Sequence, residues 1–289
     1  MADHLSRKPV SFNLSPDVLF GQAILTHGGS ASNPDYSDGP LSAAQAGMAL
    51  MANGQSALDA VVHAVSILED DPRFNAGTGS QLRADNRTIQ MDASCMTSDG
   101  QFGAVACVED VKNPINIARG VLLHSEHILF AGAGALQFAQ AHHIITQPLD
   151  DAVSTNDKPE HAPSCDTVGA VAFDGTLFAA ALSSGGLTKA AIGRVGDVPL
   201  PGCGLYSGPL GAIACTGDGE FIALKILARE VYGWLEQNLS PQDAVQKALD
   251  LFDDSVDIGL IILTQSQFAS GARNGMAWAQ STIPQNGSH

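Results

Sequence analysis

The chain has 289 residues, enough for one large domain or two ordinary ones, and 45% of them are hydrophobic against 15% charged. That balance excludes an intrinsically disordered chain. Lysine and arginine total 14 against 30 aspartates and glutamates, a net charge of −16, so general attraction to nucleic acid or to an anionic membrane is excluded. A carboxylate ligand would need one specific, local cation. No apolar run approaches the roughly 20 residues that span a bilayer, and the first twenty residues, MADHLSRKPVSFNLSPDVLF, lack the apolar core of a signal peptide. The five cysteines, Cys95, Cys107, Cys165, Cys203 and Cys215, show no CxxC spacing. Neither a disulfide framework nor a zinc knuckle is indicated, and a reducing cytoplasm is the expected compartment.

The Ala-rich stretch from Ala43 to Met51 reads as a helix that stops at Asn53-Gly54. Ser56 then serves as an N-cap with Asp59 three residues on, and Val61, Val62, Val65 and Leu68 form the apolar stripe of a second helix. After the loop EDDPRFNAGTGS, Thr88 to Met96 and Phe102 to Val108 read as strands joined at Ser98-Asp99-Gly100. Asn113-Pro114 opens a helix to about His124, with Asn as N-cap and Pro at the first helical position. A short strand, His127 to Ala131, and a short helix, Ala133 to Ala141, follow.

The segment QPLDDAVSTNDKPEHAPSC, residues 147–165, is polar, proline-containing and without period, which marks a linker or exposed loop. Strands are expected at Thr167 to Phe173, Leu177 to Leu182 and Gly211 to Cys215, with a glycine-rich stretch from Ser183 to Gly208 between the last two. Glu220 to Leu235 reads as one long amphipathic helix, and Ser240-Pro241 starts another to about Leu251. Strands at Ile258 to Thr264 and Gly275 to Ala279 close the chain. Hairpin-like strand pairs with helices grouped between them point to antiparallel sheets covered by helices rather than a βαβ repeat.

Three constellations can carry chemistry. Asp166-Thr167-Val168-Gly169 places a threonine at the start of a small-residue strand, directly after the polar linker. It is either an ordinary β-branched strand residue or a hydroxyl nucleophile released by cleavage of the 166–167 bond. In the second case its own α-amine, with a reference pKa of about 7.7–8, serves as the base. Cys215-Thr216-Gly217-Asp218-Gly219-Glu220 lies at a strand-to-helix junction. There backbone N–H groups and the Thr216 hydroxyl suit a developing oxyanion, although an ordinary turn with Asp218 as helix cap reads equally well. Gly193-Arg194-Val195-Gly196-Asp197 sets a guanidinium and a carboxylate on one loop. That pair complements the two charges of an α-amino acid, and the plain alternative is a loop salt bridge.

Two other motifs are weaker. Gly132-Ala133-Gly134-Ala135-Leu136-Gln137 approximates a dinucleotide fingerprint but lacks its third glycine. His124-x-x-His127 and His142-His143 have no Cys, Asp or Glu to complete a metal-binding set of the HExxH kind.

Taken together, Thr26-His27-Gly28-Gly29, SALDAVVHAVSILEDDPRFNAGTGS, IQMDAS, VKNPINIARGV, DTVGAVAFD, SSGGL, GRVGDVPLPGCGLY and TGDGE resemble, in order and from Ala23 to about Ile262, the plant-type asparaginase and isoaspartyl aminopeptidase family of N-terminal-nucleophile hydrolases. The resemblance implies a four-layer αββα sandwich of mainly antiparallel sheets. It implies a single domain, 1–289, that cuts itself into an α-subunit, 1–166, and a β-subunit, 167–289, with 147–166 as the exposed linker. The implied activity is hydrolysis of β-aspartyl dipeptides and L-asparagine to L-aspartate. No catalytic cofactor, no nucleic acid and no membrane are implied, and the processed protomers are expected as an (αβ)2 homodimer.

Residue by residue, the resemblance makes Thr167 the nucleophile and Ser184 the neighbour that is usually a second threonine. Arg194 matches the grip on the substrate α-carboxylate, Asp197 the partner of its α-ammonium, Thr216 and Gly217 the oxyanion donors, Gly219 a backbone contact, and Asn75 a polar residue beside the pocket. The loop from Leu68 to Gly79 resembles the family's sodium loop, in which the backbone carbonyls of Leu68, Glu69, Asp71, Phe74, Ala76 and Thr78 surround the ion, a donor set suited to a hard cation. The chain departs from the family pattern at Asp166, where glycine is usual, at Ser184, and in SASNPDYSDGP, residues 30–40. An Asp-Thr junction is also the mark of glycosylasparaginases, so that activity is the alternative. A non-processing amino-acid-binding protein is the alternative from a different class.

Overall fold

The computed structural model describes residues 19–149 and 167–285. Most of the expected linker 147–166, with Cys165 and Asp166, lies outside the described residues. A seven-stranded sheet has the order β11-β1-β5-β6-β2-β3-β4 and a four-stranded sheet the order β10-β9-β8-β7. Here β1 is Phe20–Ser30, β2 Met91–Thr97, β3 Phe102–Val108, β4 Leu129–Ala131, β5 Val168–Phe173, β6 Phe178–Ser184, β7 Leu205–Gly208, β8 Gly211–Gly217, β9 Ile258–Thr264, β10 Phe268–Ala272 and β11 Met276–Pro284. Every strand pair is antiparallel except β3 with β4.

Strand periodicity divides the interior. On β5, Val168, Ala170 and Ala172 face one apolar cluster, while Val171 and Phe173 face another. The first cluster is completed by helices α1 (Asp38–Ala52), α2 (Ala57–Asp70), α3 (Pro114–His124) and α4 (Ala133–Ala141). The second joins the two sheets, with Leu25, Leu182, Leu205, Ala214, Ile261 and Leu263 in contact. The alternate residues of β8, Ile213 and Cys215, turn to a third cluster under α6 (Leu227–Glu236) and α7 (Pro241–Leu249). A fully buried leucine or isoleucine in such a layer contributes roughly 1.5–3 kcal/mol.

Local signals explain most boundaries. Ser56 and Asp59 form a reciprocal capping box on α2, and Arg119 on α3 donates to the same carboxylate at 2.5 Å. At α3, however, Asn113 makes no side-chain cap. Its amide donates to Ser66 O and Asp70 Oδ1 instead. The helix N-terminus is served by Glu69, whose Oε1 accepts the Ile115 N–H at 3.1 Å. That carboxylate is fully buried, and burial pushes its pKa up to about 8.

The single helix expected from Glu220 to Leu235 is two: α5 (Gly219–Lys225) and α6, separated by Ile226 in the left-handed region at φ 48°. No helix among the described residues is long and apolar enough to cross a membrane.

Candidate active site

Thr167 precedes β5, the third strand of the large sheet, and is buried. On one side β5 pairs with β6, Val168 facing Ser183, so one further step of the register sets Thr167 opposite Ser184. Ser184 in turn faces Asp92 on β2. Three side chains that can hydrogen-bond therefore stand in a row across three strand ends. On the other side, His27 of β1 faces Gly169. A Cβ at Gly169 would lie 2.3 Å from His27 Nε2, so only glycine lets the imidazole settle there. His27 is fully buried, and desolvation pushes its pKa down to about 3 against weaker support from the Thr167 backbone. It is a neutral wall for this end of the strand at any physiological pH.

The cleft at this edge is lined by Asn75, Asp92, Thr167, Ser184, Arg194, Asp197, Gly217 and Gly219, with Gly186, Leu187, Gly196 and Val198. Seven of the residues singled out in the sequence thus meet in one place. Arg194 and Asp197 come from the irregular segment after β6. Asp197 is fully enclosed, its Oδ2 has no hydrogen-bond partner among the described residues, and burial raises its pKa to about 7, opposed by its own backbone N–H and by Arg194. Its Oδ2 therefore offers the cleft one buried acceptor without a partner among the described residues, a place for a hydrogen-bond donor. Gly219 explains itself here, because a Cβ would come within 2.7 Å of Asp197 Oδ1 and 2.9 Å of Arg194 Nη2.

Gly217 ends β8 at φ 136°, and a Cβ there would strike the Asp257 carbonyl oxygen. The turn is held by Asp218 N–H to Asp257 O at 2.9 Å and by Asp257 N–H to Asp218 Oδ2 at 3.0 Å. Asp218 therefore spends its carboxylate on Asp257 and does not cap α5. Thr216 sits just behind the cleft, buried, its Oγ1 accepting the Ser30 N–H at 3.0 Å. The hydroxyl proton is still available to a second acceptor. Asn75 Nδ2 donates to Gly186 O at 2.7 Å, and its buried Oδ1 has no partner among the described residues. Ser184 Oγ accepts the Gly186 N–H at 3.2 Å.

Asp92, Glu220 and Arg83 were not singled out in the sequence as site residues. Asp92 lies inside the IQMDAS motif, where nothing local marks its place in the cleft. It accepts from Cys107 N–H at 2.8 Å and from Gly196 N–H at 3.4 Å. Glu220 pairs with Arg194. Arg83 sits in a polar stretch that carries no local sign of burial.

The expected sodium loop runs from the end of α2 through a turn of 3-10 helix at Gly77–Gly79. A Cβ at Gly77 would lie 2.4 Å from Glu69 O, and one at Gly79 would overlap Phe74 O, so both carbonyls lie against the turn. The carbonyls of Leu68, Asp71, Phe74 and Ala76 also accept backbone N–H bonds within the loop, and carbonyl oxygens are donors of the kind a hard cation takes. Away from the cleft, Gly132 and Gly134 open α4 beyond the edge strand β4, and His124 stacks on His142 at 5.8 Å.

Known proteins bear on this arrangement. The chain belongs to the asparaginase family, whose profile matches residues 20–160 and 147–287. Among its relatives, the isoaspartyl peptidase/L-asparaginase of Bos taurus is 37% identical over 286 residues, covering 90% of this chain and 91% of its own length. That of Rattus norvegicus is 38% identical over 302 residues, covering 94% and 89%. The plant-type L-asparaginase of Pyrococcus abyssi is 36% identical over 265 residues, covering 79% and 84%.

Proposed function

We propose that the protein is a self-processing threonine amidohydrolase that releases L-aspartate from L-asparagine and β-aspartyl dipeptides. The observation that carries this reading is the convergence of Thr167, Arg194, Asp197 and Gly217 on one cleft. In the first stage the Thr167 hydroxyl attacks the Asp166 carbonyl carbon and the C–N bond breaks, which frees the Thr167 α-amine; water then hydrolyses the resulting ester and frees the hydroxyl. Residues 1–166 and 167–289 remain packed as one αββα domain of the N-terminal-nucleophile kind, and two such protomers form an (αβ)2 homodimer.

In the second stage Arg194 takes the substrate α-carboxylate and Asp197 its α-ammonium, with Gly219 and Asn75 completing the rim. The Thr167 Oγ attacks the side-chain amide carbon and its proton passes to the freed amine. The oxyanion is held by the Thr216 hydroxyl and the Gly217 N–H, while Ser184 hydrogen-bonds the nucleophile. The Thr167 amine passes that proton to the leaving group, ammonia from asparagine or the second amino acid from a dipeptide, and water then cleaves the Thr167 ester to give aspartate. The carbonyls of Leu68, Glu69, Asp71, Phe74, Ala76 and Thr78 would hold a sodium ion, which supplies positive charge that stiffens the turn and takes no part in bond making. The free thiols of Cys95, Cys107, Cys203 and Cys215 support a reducing, cytoplasmic setting.

Incubation with L-asparagine and with a β-aspartyl dipeptide, followed by chromatography for aspartate, tests the reading. Release from either supports it. Release only from an N-glycosyl-asparagine overturns it in favour of a glycosylasparaginase, and binding of aspartate without turnover of any of the three overturns it in favour of a binding protein.

A further inference from the structure

Arg83 has the largest fully buried side chain in the molecule's described part. It lies in the segment between the 3-10 turn and β2, outside the cleft lining. Its Nη2 donates to two carbonyls, Gln90 O at 2.8 Å and Arg194 O at 3.2 Å. Its Nε and Nη1 have no hydrogen-bond partner among the described residues. A buried guanidinium so incompletely satisfied is costly, and an apolar side chain of similar volume would pack there at less cost. A role beyond filling space accounts for its presence.

The surroundings indicate that role. The whole segment 81–92 is strapped to the loop that carries Arg194 and Asp197. Gln81 N–H donates to Gly185 O at 3.4 Å, Lys189 N–H to Leu82 O at 2.8 Å and Ala84 N–H to Ala190 O at 2.9 Å. Gly193 N–H donates to Gln90 Oε1 at 2.7 Å and Gly196 N–H to Asp92 Oδ2 at 3.4 Å. Arg83 is at the centre of these straps. Its Nη1 lies under Gly186, where a Cβ would come within 2.9 Å, and Gly186 lines the cleft. One side chain thus touches the loop at both ends, at Gly186 and at the backbone of Arg194. The carboxylates of Asp92 and, more weakly, Glu109 attract it, and the Arg194 charge repels it.

We propose that Arg83 is a positioning residue for substrate recognition, fixing from beneath the backbone that presents Arg194 and Asp197 to the substrate. The proposal rests on the reading of Arg194 as the carboxylate grip. Arg83 acts on binding rather than on bond making, because none of its contacts reaches Thr167, Thr216 or Gly217 among the described residues.

Two variants of the full chain test it. Arg83→Met removes the fork and the charge, and Arg83→Lys keeps the charge but offers a single ammonium to two carbonyls. KM and kcat on L-asparagine, L-aspartate affinity by calorimetry, chain cleavage by mass spectrometry and melting temperature are measured for each. KM and the aspartate Kd are expected to rise together, roughly tenfold in Arg83→Met and about threefold in Arg83→Lys, with kcat within about twofold and cleavage intact. Wild-type KM in either folded variant overturns the proposal, as does a fall in kcat at constant KM. Should Arg83→Met fail to fold, Arg83→Lys decides alone, since a purely structural arginine predicts wild-type KM there. Arg194→Lys is the control: unchanged KM in that variant overturns the Arg194 reading, independently of Arg83.

Discussion

Arg194 and Glu220 meet in a two-pronged contact, Nε to Oε1 at 2.9 Å and Nη2 to Oε2 at 2.6 Å. The guanidinium is mostly covered while the glutamate is more than half exposed. The hydrogen bond and charge of Arg194 hold the Glu220 carboxyl below its usual pKa. Glu220 takes one edge of the fork and leaves Nη1 over, on the Gly196 side. Glu220→Gln is expected to raise KM for asparagine by about three- to tenfold with little change in kcat, because a neutral amide orients the fork less firmly. A lower KM would mean instead that Glu220 competes with the substrate for Arg194.

Removing the proposed nucleophile should abolish both stages. Thr167→Ala is expected to purify as one chain of full length by mass spectrometry and to release no aspartate. Thr167→Ser, which keeps a hydroxyl, should still be cut. Residual turnover in Thr167→Ala would shift the nucleophile elsewhere.

Asp197 sets a pH signature. Burial puts its pKa near 7, so the carboxylate is ionised above that pH and neutral below it. Only the ionised form attracts the substrate ammonium. The ratio of kcat/KM for asparagine to that for succinamate, which lacks the ammonium, should therefore fall as pH drops below about 7. Effects of the Thr167 amine cancel in that ratio. A ratio constant from pH 5.5 to 8 would remove Asp197 from ammonium recognition.

The loop around Gly79 tolerates no side chain. A Cβ there would overlap the Phe74 carbonyl and approach Pro72 O at 3.0 Å. Both neighbours are backbone, so relief requires the turn itself to move. Gly79→Ala is expected to lose about 1–3 kcal/mol in denaturant unfolding.

Ile226 offers the opposite case. It is half exposed, so its side chain contributes little, yet its left-handed φ of 48° is a conformation that a β-branched residue adopts only under strain. Ile226→Gly should gain about 1 kcal/mol. A loss would show that its contacts outweigh the strain.

How much of this was legible in the sequence differs by element, for physical reasons. α2 has its cap and apolar stripe, while β3, β9 and α4 are short apolar runs between turn signals, and all four stand where the sequence places them. β1 escapes a sequence reading because its apolar run, Ala23-Ile24-Leu25, is only three residues long between Gln22 and the polar, glycine-rich Thr26-His27-Gly28-Gly29. β7 and β10 are short and rich in glycine, serine and alanine, which in isolation read as loop. The break at Ile226 was invisible because the residues on both sides keep a helical stripe, and β-branched residues rarely turn left-handed. In the site, Arg194 and Asp197 stood out by their glycine-flanked spacing. Asp92 and Arg83 did not, since their significance lies in contacts with the 185–196 loop, about a hundred positions away.

The strand order has a last consequence. In the large sheet β5, whose leading residue is Thr167, lies between β1 and β6, and β11 lies on the outer side of β1. A backbone cut before Thr167 would assign β1, β2, β3 and β4 to one polypeptide and β11, β5 and β6 to the other. The two would then alternate across a single hydrogen-bonded surface, like the fingers of clasped hands. Pulling them apart would mean unzipping three ladders: β11 from β1, β1 from β5 and β6 from β2. Such a pair cannot come apart on dilution as a docked heterodimer does. Its loss would follow the kinetics of unfolding, and its halves, made as separate chains, would have to fold around each other.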